Sequence, residues 1–480
     1  MSTHTVEKIG GTTMSRADAL LDTLFIRGDG EGAPYGRVFV VSAYGGITDL
    51  LLENKKTGAP GVYGQFASED SSMGWSDALD RVADAMGEVH GRLLEHPGDR
   101  RSADEFVRDR IEGARTCLLD LQRLCSYGHF RLDEHMMTIR ELLSGLGEAH
   151  SAFVTVLMLA RNGVNGRLID LTGWRDESQP SLAQRLDEAF ADVDPSREMP
   201  VVTGYAQCRE GLMGEYDRGY SEVTFAHLAA RTGAREAVIH KEFHLSSADP
   251  KLVGEDRVIK IGHTNYDMAD QLSNLGMEAI HPAAAKILRQ AEIPLRVANA
   301  FDPDDPGTLI DSDTSGPARV EMVTGLPLLA LQVFEQDMVG VKGYDAAILK
   351  ALTRHDVWIV SKTSNANTIT HYVNGTLKGM QRVEKEILAA YPAAEIQIRK
   401  VAVVSAVGSN LSGLQVARRG LNALAEAGID PIAVQDTGRH VDVQFVVSTE
   451  DMAEAVKTLH AALVETAEDA STGARRNRVA

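Results

Sequence analysis

Hydrophobic and polar positions alternate along Thr5-Val6-Glu7-Lys8-Ile9 and stop at Gly10-Gly11, which predicts a strand ending in a turn. A helical pattern follows from Ser15 through Leu20, Leu21 and Leu24. The apolar run Arg37-Val38-Phe39-Val40-Val41 has the character of a buried parallel strand. It ends at Ser42-Ala43-Tyr44-Gly45-Gly46, and a helix starts near Thr48. Strand–turn–helix order of this kind predicts an α/β domain with a mostly parallel sheet. Residues 55–135 are charged and mostly helical, with a Gly/Pro/Ser-rich lead from Thr57 to Met73, and read as an elaboration on that core. Strand-like runs return at Met199–Thr203, Ala237–Ile239 and Arg257–Ile261. Thr264–Asp267 resembles a capping box and Gly276 a C-cap, giving one helix over roughly 265–275. Pro282 suits the first turn of another helix, and Phe301–Pro317 reads as a linker.

Beyond the linker the pattern repeats. Ala351-Leu352, Val357 and Ile369 recur as Ala423-Leu424, Ile429 and Val441, each displaced by 72 positions (424 − 352). The first copy predicts a helix over Tyr344–Arg354 and strands over Val357–Ser361 and Asn367–Val373. The second predicts a helix over Gln415–Ala427 and strands over Pro431–Gln435 and Val441–Val447. This is the order of a ferredoxin-like βαββαβ unit. An interleaved arrangement is also open: Arg319–Val323 could pair with the second copy, making the first an insertion.

Composition narrows the partners. The 480 residues carry 68 acidic and 49 basic side chains, a net charge of −19. Such a surface repels phosphate backbones and anionic lipid, so neither nucleic acid nor membrane is expected as a partner. Hydrophobic residues at 44% and charged residues at 24% are ordinary globular usage. Three cysteines (Cys117, Cys125, Cys208) without a CxxC pair argue for reduced thiols. Met1–Leu20 is polar with no apolar signal core, and no apolar run approaches the ~20 residues of a membrane span. A cytoplasmic location is therefore expected, and the sequons at Asn374 and Asn410 are read as chance.

Five stretches could carry chemistry. Lys8-Ile9-Gly10-Gly11-Thr12-Thr13 feeds a strand end into a helix start, where glycine amides, hydroxyls and one ammonium suit a phosphate. It is neither GxxxxGK[ST] nor GxGxxG, and Gly-Gly after a strand, taken alone, is more often a tight turn. Ser42 to Asp49 is a second turn of small and hydroxyl residues, with Thr48 as an alternative simple cap. Glu148, in the apolar Gly147-Glu148-Ala149-His150-Ser151-Ala152, is either a solvated helix position or a carboxylate facing an ammonium. Arg218, in Asp217-Arg218-Gly219-Tyr220-Ser221-Glu222, is either a surface arginine or a bidentate carboxylate clamp. His240-Lys241-Glu242-Phe243-His244 has two histidines four apart, but the stretch is strand-like, and no metal site is expected.

Taken in order, these motifs resemble those of the aspartate kinases. Lys8–Thr13 is similar to their KFGGTS start, and Val40–Ala43 with Thr48-Asp49 to their second turn. Gly147-Glu148 with Ser151 resembles GExxS, and Arg218–Ser221 resembles RGGS. Ser247-Ala248-Asp249-Pro250 resembles TADP, and His281-Pro282 and Gly307–Ile310 resemble the later HP and GTLI elements. The repeat, with Val403–Ser409, resembles paired ACT domains. The details are most similar to the aspartokinases associated with ectoine biosynthesis.

The resemblance implies an amino-acid-kinase (carbamate-kinase-like) three-layer α/β domain over 1–316, ferredoxin-like ACT domains over 317–393 and 394–468, and a tail over 469–480. It implies phosphorylation of the β-carboxylate of L-aspartate by ATP, with Mg2+ accompanying the nucleotide, and a homodimer or higher homo-oligomer formed through the ACT domains. Lys8, Gly10 and Gly11 would act in transfer. Ser42, Thr48, Glu148, Arg218 and Ser221 would bind substrate. Lys8, Gly10, Gly11, Thr12, His240, Lys241, Ser246 and Lys251 would bind nucleotide. Tyr220, Glu222, His240-Lys241, Lys251 and Glu278 depart from the usual glycine, aspartate, Thr-Asp, arginine and lysine, so the nucleotide half is the altered half. A kinase for glutamate, or a regulatory subunit that binds amino acids through 320–468, are the other readings.

Overall fold

The computed structural model describes residues 4–27, 34–68, 74–275 and 280–465, the side chain of Arg218 excepted. Gly276, Glu278 and the expected tail lie outside them. The chain divides into two compact units, one of residues 1–244 with 280–312, the other of 245–279 with 313–480.

In the first unit the strands are β1 (Thr5–Ile9), β2 (Arg37–Val41), β3 (Gly166–Ile169), β4 (Met199–Thr203), β5 (Glu236–Lys241), β6 (Leu295–Asn299) and β7 (Thr308–Asp311). They lie in the order β3-β4-β2-β1-β5-β6-β7, parallel except for β6 with β7. β1 is central and buried at all five residues, as its flanking parallel neighbours require. Phe25 meets Phe39 edge-on, so the helical turns over 17–25 cover the sheet face carrying Glu7 and Phe39. Helix Tyr220–Thr232 packs on β1 beside helix Pro282–Gln290. The charged stretch forms helices Gly74–Leu93 and Pro97–Cys125, which pack together and against helix Met136–Arg161. That last helix lies within the only segment among the described residues long and apolar enough to cross a membrane, and 78% of its apolar window is buried within the fold. Its apolarity is that of a core helix.

The expected linker contains β7. Thr308 and Ile310 are buried where β7 pairs antiparallel with β6, so the Asp- and Pro-rich loop closes earlier than the sequence pattern suggests.

The second unit is built on a six-stranded antiparallel sheet. Its strands are β8 (Arg319–Phe334), β9 (Trp358–Ser364), β10 (Thr368–Asn374), β11 (Glu395–Ser409), β12 (Ala433–Asp436) and β13 (Asp442–Val447), in the order β9-β10-β8-β11-β13-β12. Helix Tyr344–Arg354 falls where the periodicity places it. Its counterpart is Val416–Glu426, with Gln415 and Ala427 as caps. β8 and β11 pair along their whole length, from Glu395 opposite Phe334 to Ser409 opposite Arg319. Val320 and Val323 join the core formed by Ala402, Val404, Phe445 and Leu459, while Leu329, Leu331 and Val333 join the one formed by Ile348, Ile369 and Ile387. One strand thus serves both apolar clusters, and a linear cut at 393 does not separate them.

Arg257–Ile261 is not a strand. It makes only an isolated bridge and a few backbone bonds to Leu245–Ser247, because that partner gives way to helix Pro250–Val253. The helix over Tyr266–Asn274 is capped by Asn265, whose side chain accepts from the Met268 amide.

Candidate active site

Lys8 is next to last in β1 and 9% exposed. Its Nζ donates to Glu222 Oε1 at 3.2 Å and stands over Gly10, where an added Cβ would lie 3.8 Å from it. The other oxygen of Glu222 accepts the backbone N–H of His281. Burial pushes the Glu222 carboxyl up, but the charges of Lys8 and Lys241 and the His281 amide outweigh it and hold the group below its usual value. Glu222 is thus an ionised anchor that fixes the Lys8 ammonium at the sheet's edge.

Gly10 caps the short helix Gly11–Met14 in an extended conformation, with Thr12 exposed and Thr13 buried. The Thr13 hydroxyl donates to Glu242 at 2.6 Å. A Cβ on Gly11 would lie 2.7 Å from the carbonyl oxygen of Ala43. From the other side, a Cβ on Gly147 would lie 2.8 Å from the Ala43 methyl. The 42–46 turn therefore sits between two elements that approach it closely only because each presents a glycine. Ser42, partly buried, donates its amide to Ile9 O and accepts the Ser151 hydroxyl on its carbonyl at 2.9 Å. Gly46, at φ 87°, starts helix Ile47–Leu51, whose second residue is Thr48.

Glu148 is 2% exposed on helix Met136–Arg161. Ser221, in the first turn of helix Tyr220–Thr232, donates to its Oε1 at 2.8 Å, while Oε2 is buried with no hydrogen-bond partner. Burial raises the carboxyl to about 8, with the Ser221 hydroxyl, the Tyr205 backbone amide, the Lys8 charge and the Tyr220 side chain opposing the shift. An acceptor held in this way has room for a cationic partner. Arg218 lies on the turn Asp217–Gly219 just before Ser221.

The structure therefore brings Lys8, Gly10, Gly11, Ser42, Glu148 and Ser221 to the carboxyl edge of β1 and β2 and the helices facing it, with Thr12 and Thr48 in the adjoining helix starts. His240 does not join them. Register pairs Lys8 with Ile239, so Lys241 shares the Lys8 face of the sheet and His240 the opposite one. There His240 Nε2 lies 2.8 Å from Glu7 Oε2, and Glu7 is also held by Arg37. Nε2 of His240 is thus committed to Glu7 on the face away from Lys8, while its Nδ1 is buried without a hydrogen-bond partner, so His240 is not one of the residues gathered around Lys8.

Ser246 and Lys251 belong to the second unit. Ser246 is buried and donates to the Ala248 carbonyl at 2.8 Å, and Lys251 is exposed on the short helix capped by Asp249. Sequence reading noted Glu222 only as a departure. Its partnership with Lys8 needed the packing of helix Tyr220–Thr232 on β1, for which the sole local signal was an acid in a helical first turn.

The donors around Lys8 are backbone amides, hydroxyls and ammonium groups, a set suited to phosphate oxygens rather than to a cation held by protein ligands. Among the described residues, His244, Asp302 and Asp305 are the one grouping of three metal-ligating side chains. Each imidazole nitrogen of His244 already faces a separate carboxylate.

The family model for the amino acid kinase family matches residues 4–299, and one for the ACT domain matches 404–463. The chain is 52% identical over 465 residues to the aspartate kinase Ask_Ect of Stutzerimonas stutzeri, spanning 96% of this chain and 98% of that protein. It is 25% identical over 464 residues to an aspartokinase of Candida albicans, 83% of each chain. Among solved structures, Escherichia coli aspartokinase III in complex with lysine and aspartate superposes with a TM-score of 0.69 at 19% identity, over 96% of this chain and 100% of that one. The Clostridium acetobutylicum aspartate kinase gives 0.69 at 17%, with the same coverage, and both share the fold. The chain belongs to the amino acid kinase family, among its aspartate kinases.

Proposed function

We propose that the chain transfers the γ-phosphoryl group of ATP to the β-carboxylate of L-aspartate, giving 4-phospho-L-aspartate at the head of aspartate-family and ectoine biosynthesis. The observation that carries this reading is the pairing, at one sheet edge, of a buried ammonium over glycines with a buried carboxylate whose second oxygen lacks a partner. The first suits a phosphoryl group and the second an α-ammonium.

A β-carboxylate, with a pKa near ~4, is already ionised and needs no general base. One of its oxygens bonds to the γ-phosphorus as the bond to the β-phosphate oxygen breaks, and ADP leaves with that electron pair. Positioning and charge neutralisation then supply the catalysis. Lys8 faces the transferring phosphoryl, and the amides of Gly10 and Gly11, with Thr12 and Lys241, face the nucleotide phosphates. Mg2+ arrives on the nucleotide and supplies further neutralisation of phosphate charge. Glu148 takes the α-ammonium, Arg218 the α-carboxylate, and Ser42, Thr48 and Ser221 complete the substrate contacts.

The second unit is read as two ACT-type modules, the first inserted into the second, with homodimerisation through them and a cytoplasmic location. The test is hydroxylamine trapping of the acyl phosphate formed by the full chain with ATP and either L-aspartate or L-glutamate. Hydroxamate from aspartate alone is expected. Product only from glutamate would reassign the substrate, and binding without turnover would make the chain a regulatory subunit.

A further inference from the structure

Helix Met136–Arg161 carries a second buried polar group two residues beyond Glu148. His150 and His90 are each 1% exposed, and their Nε2 atoms lie 2.8 Å apart. His90 comes from helix Gly74–Leu93, and its Nδ1 lies 2.7 Å from Asp104 Oδ1 on helix Pro97–Cys125. Asp104 is half exposed, so the chain Asp104–His90–His150 runs inward from the surface. On its far side the His150 ring meets the ring of Tyr44 edge-on at 5.4 Å. Tyr44 lies in the 42–46 turn, whose Ser42 carbonyl is held by Ser151 of the same helix.

Two facing imidazole nitrogens at this distance must share one proton, since two lone pairs would repel and two protons would clash. The Asp104 carboxylate requires the proton on His90 Nδ1, which fixes that ring's orientation. Burial, with the neighbouring His90, pushes His150 down to about 3, so its ring is neutral across the working range. The contact is therefore directional and cannot be made by an apolar pair of similar size.

Its place on the helix gives it a consequence. At ~100° per residue, positions 148 and 150 point about 200° apart, on opposite sides of one cylinder. A rotation of the helix that slackens the His90 contact also turns Glu148 and Ser151 away from their partners.

We propose that His90 and His150, oriented by Asp104, are positioning residues that set the rotation of helix Met136–Arg161 and so the aim of Glu148 at the amino-acid substrate and the hold of Ser151 on the Ser42 turn. The inference rests on the reading of Glu148 and Ser42 as substrate contacts.

The test uses the full chain, with KM for aspartate and for ATP, kcat and thermal midpoint measured together. His90→Leu is expected to raise the aspartate KM about tenfold, leaving ATP KM and kcat within about twofold. His90→Gln, whose terminal amide stands where Nε2 stood, is expected to hold the aspartate KM within about threefold of the parent. His90→Asn, which replaces only the Nδ1 side, should behave like the leucine variant. An aspartate KM within twofold of the parent in His90→Leu, whatever its thermal midpoint, overturns the proposal. So does an equal KM in the Gln and Asn variants, which decide the matter if the leucine variant does not fold. Glu148→Gln, run beside them, separates two failures: if it raises the aspartate KM and His90→Leu does not, only the positioning role falls. If neither moves it, the assignment of Glu148 to the substrate falls as well.

Discussion

Glu7 and Lys8 are neighbours in sequence, both buried in the central strand, and opposite in consequence. Glu7 accepts two hydrogen bonds from the Arg37 guanidinium, each 2.7 Å, and lies 2.8 Å from His240. Thr5 adds a further bond at 2.7 Å. Burial alone would push the Glu7 carboxyl up, but Arg37 and His240 hold it well below its ordinary value. On this face both oxygens of the carboxylate are paired, although the buried Nδ1 of His240 has no hydrogen-bond partner. On the Lys8 face the set is incomplete: Glu222 fixes the ammonium, yet Glu148 keeps an unpartnered oxygen and a carboxyl raised to about 8. A carboxylate with both oxygens paired serves the fold, whereas one with an open oxygen leaves binding capacity for a ligand.

Removing a charge from each face tests that division. Lys8→Ala is expected to lower kcat by about a thousandfold or more while aspartate still binds, because the lost interaction forms with the transferring group. Steady-state hydroxamate formation and aspartate titration on one preparation check both halves. Retention of most of the kcat would remove Lys8 from transfer.

Glu7→Gln should do the reverse. It strands the buried Arg37 charge and is expected to cost about 3–5 kcal/mol of stability in denaturant titration, with kcat per folded molecule little changed. The same loss of kcat as in Lys8→Ala would erase the distinction between the faces.

A smaller effect comes from pH. The raised Glu148 carboxyl means that the folded state holds a proton the unfolded state has released between about pH 4.5 and 8. Stability from this group therefore falls as pH rises through that window. Glu7, depressed in the fold, has the opposite sign: its contribution is full above the unfolded value and is lost only as pH falls toward the folded one. Glu148→Gln is thus expected to raise the thermal midpoint more at pH 8 than at pH 5, and an equal change at both would contradict it.

Much of this was legible in the residues. β1 follows from an alternating run and β2 and β4 from short apolar ones, and the 72-residue displacement locates the two repeated helices to within a residue or so. Register was not legible. Whether position 240 shares a face with Lys8 or with Glu7 depends on how β5 aligns with β1, and a shift of one residue exchanges the two. The length of β8 escaped for a similar reason. Only Arg319–Val323 suggested a partner, because the residues that extend it to Phe334 find theirs in β11, distant in sequence. Arg257–Ile261 has the composition of a strand but lacks a partner long enough to make one.

The most direct measurement is the proton balance of aspartate binding. Calorimetric titration of L-aspartate into the full chain, near pH 7 in two buffers of different ionisation enthalpy, reads the protons released. If the open oxygen of Glu148 receives the α-ammonium, binding ionises that carboxyl and releases close to one proton, and Glu148→Gln abolishes the release. Aspartate binding with no proton released by the parent chain would contradict the account.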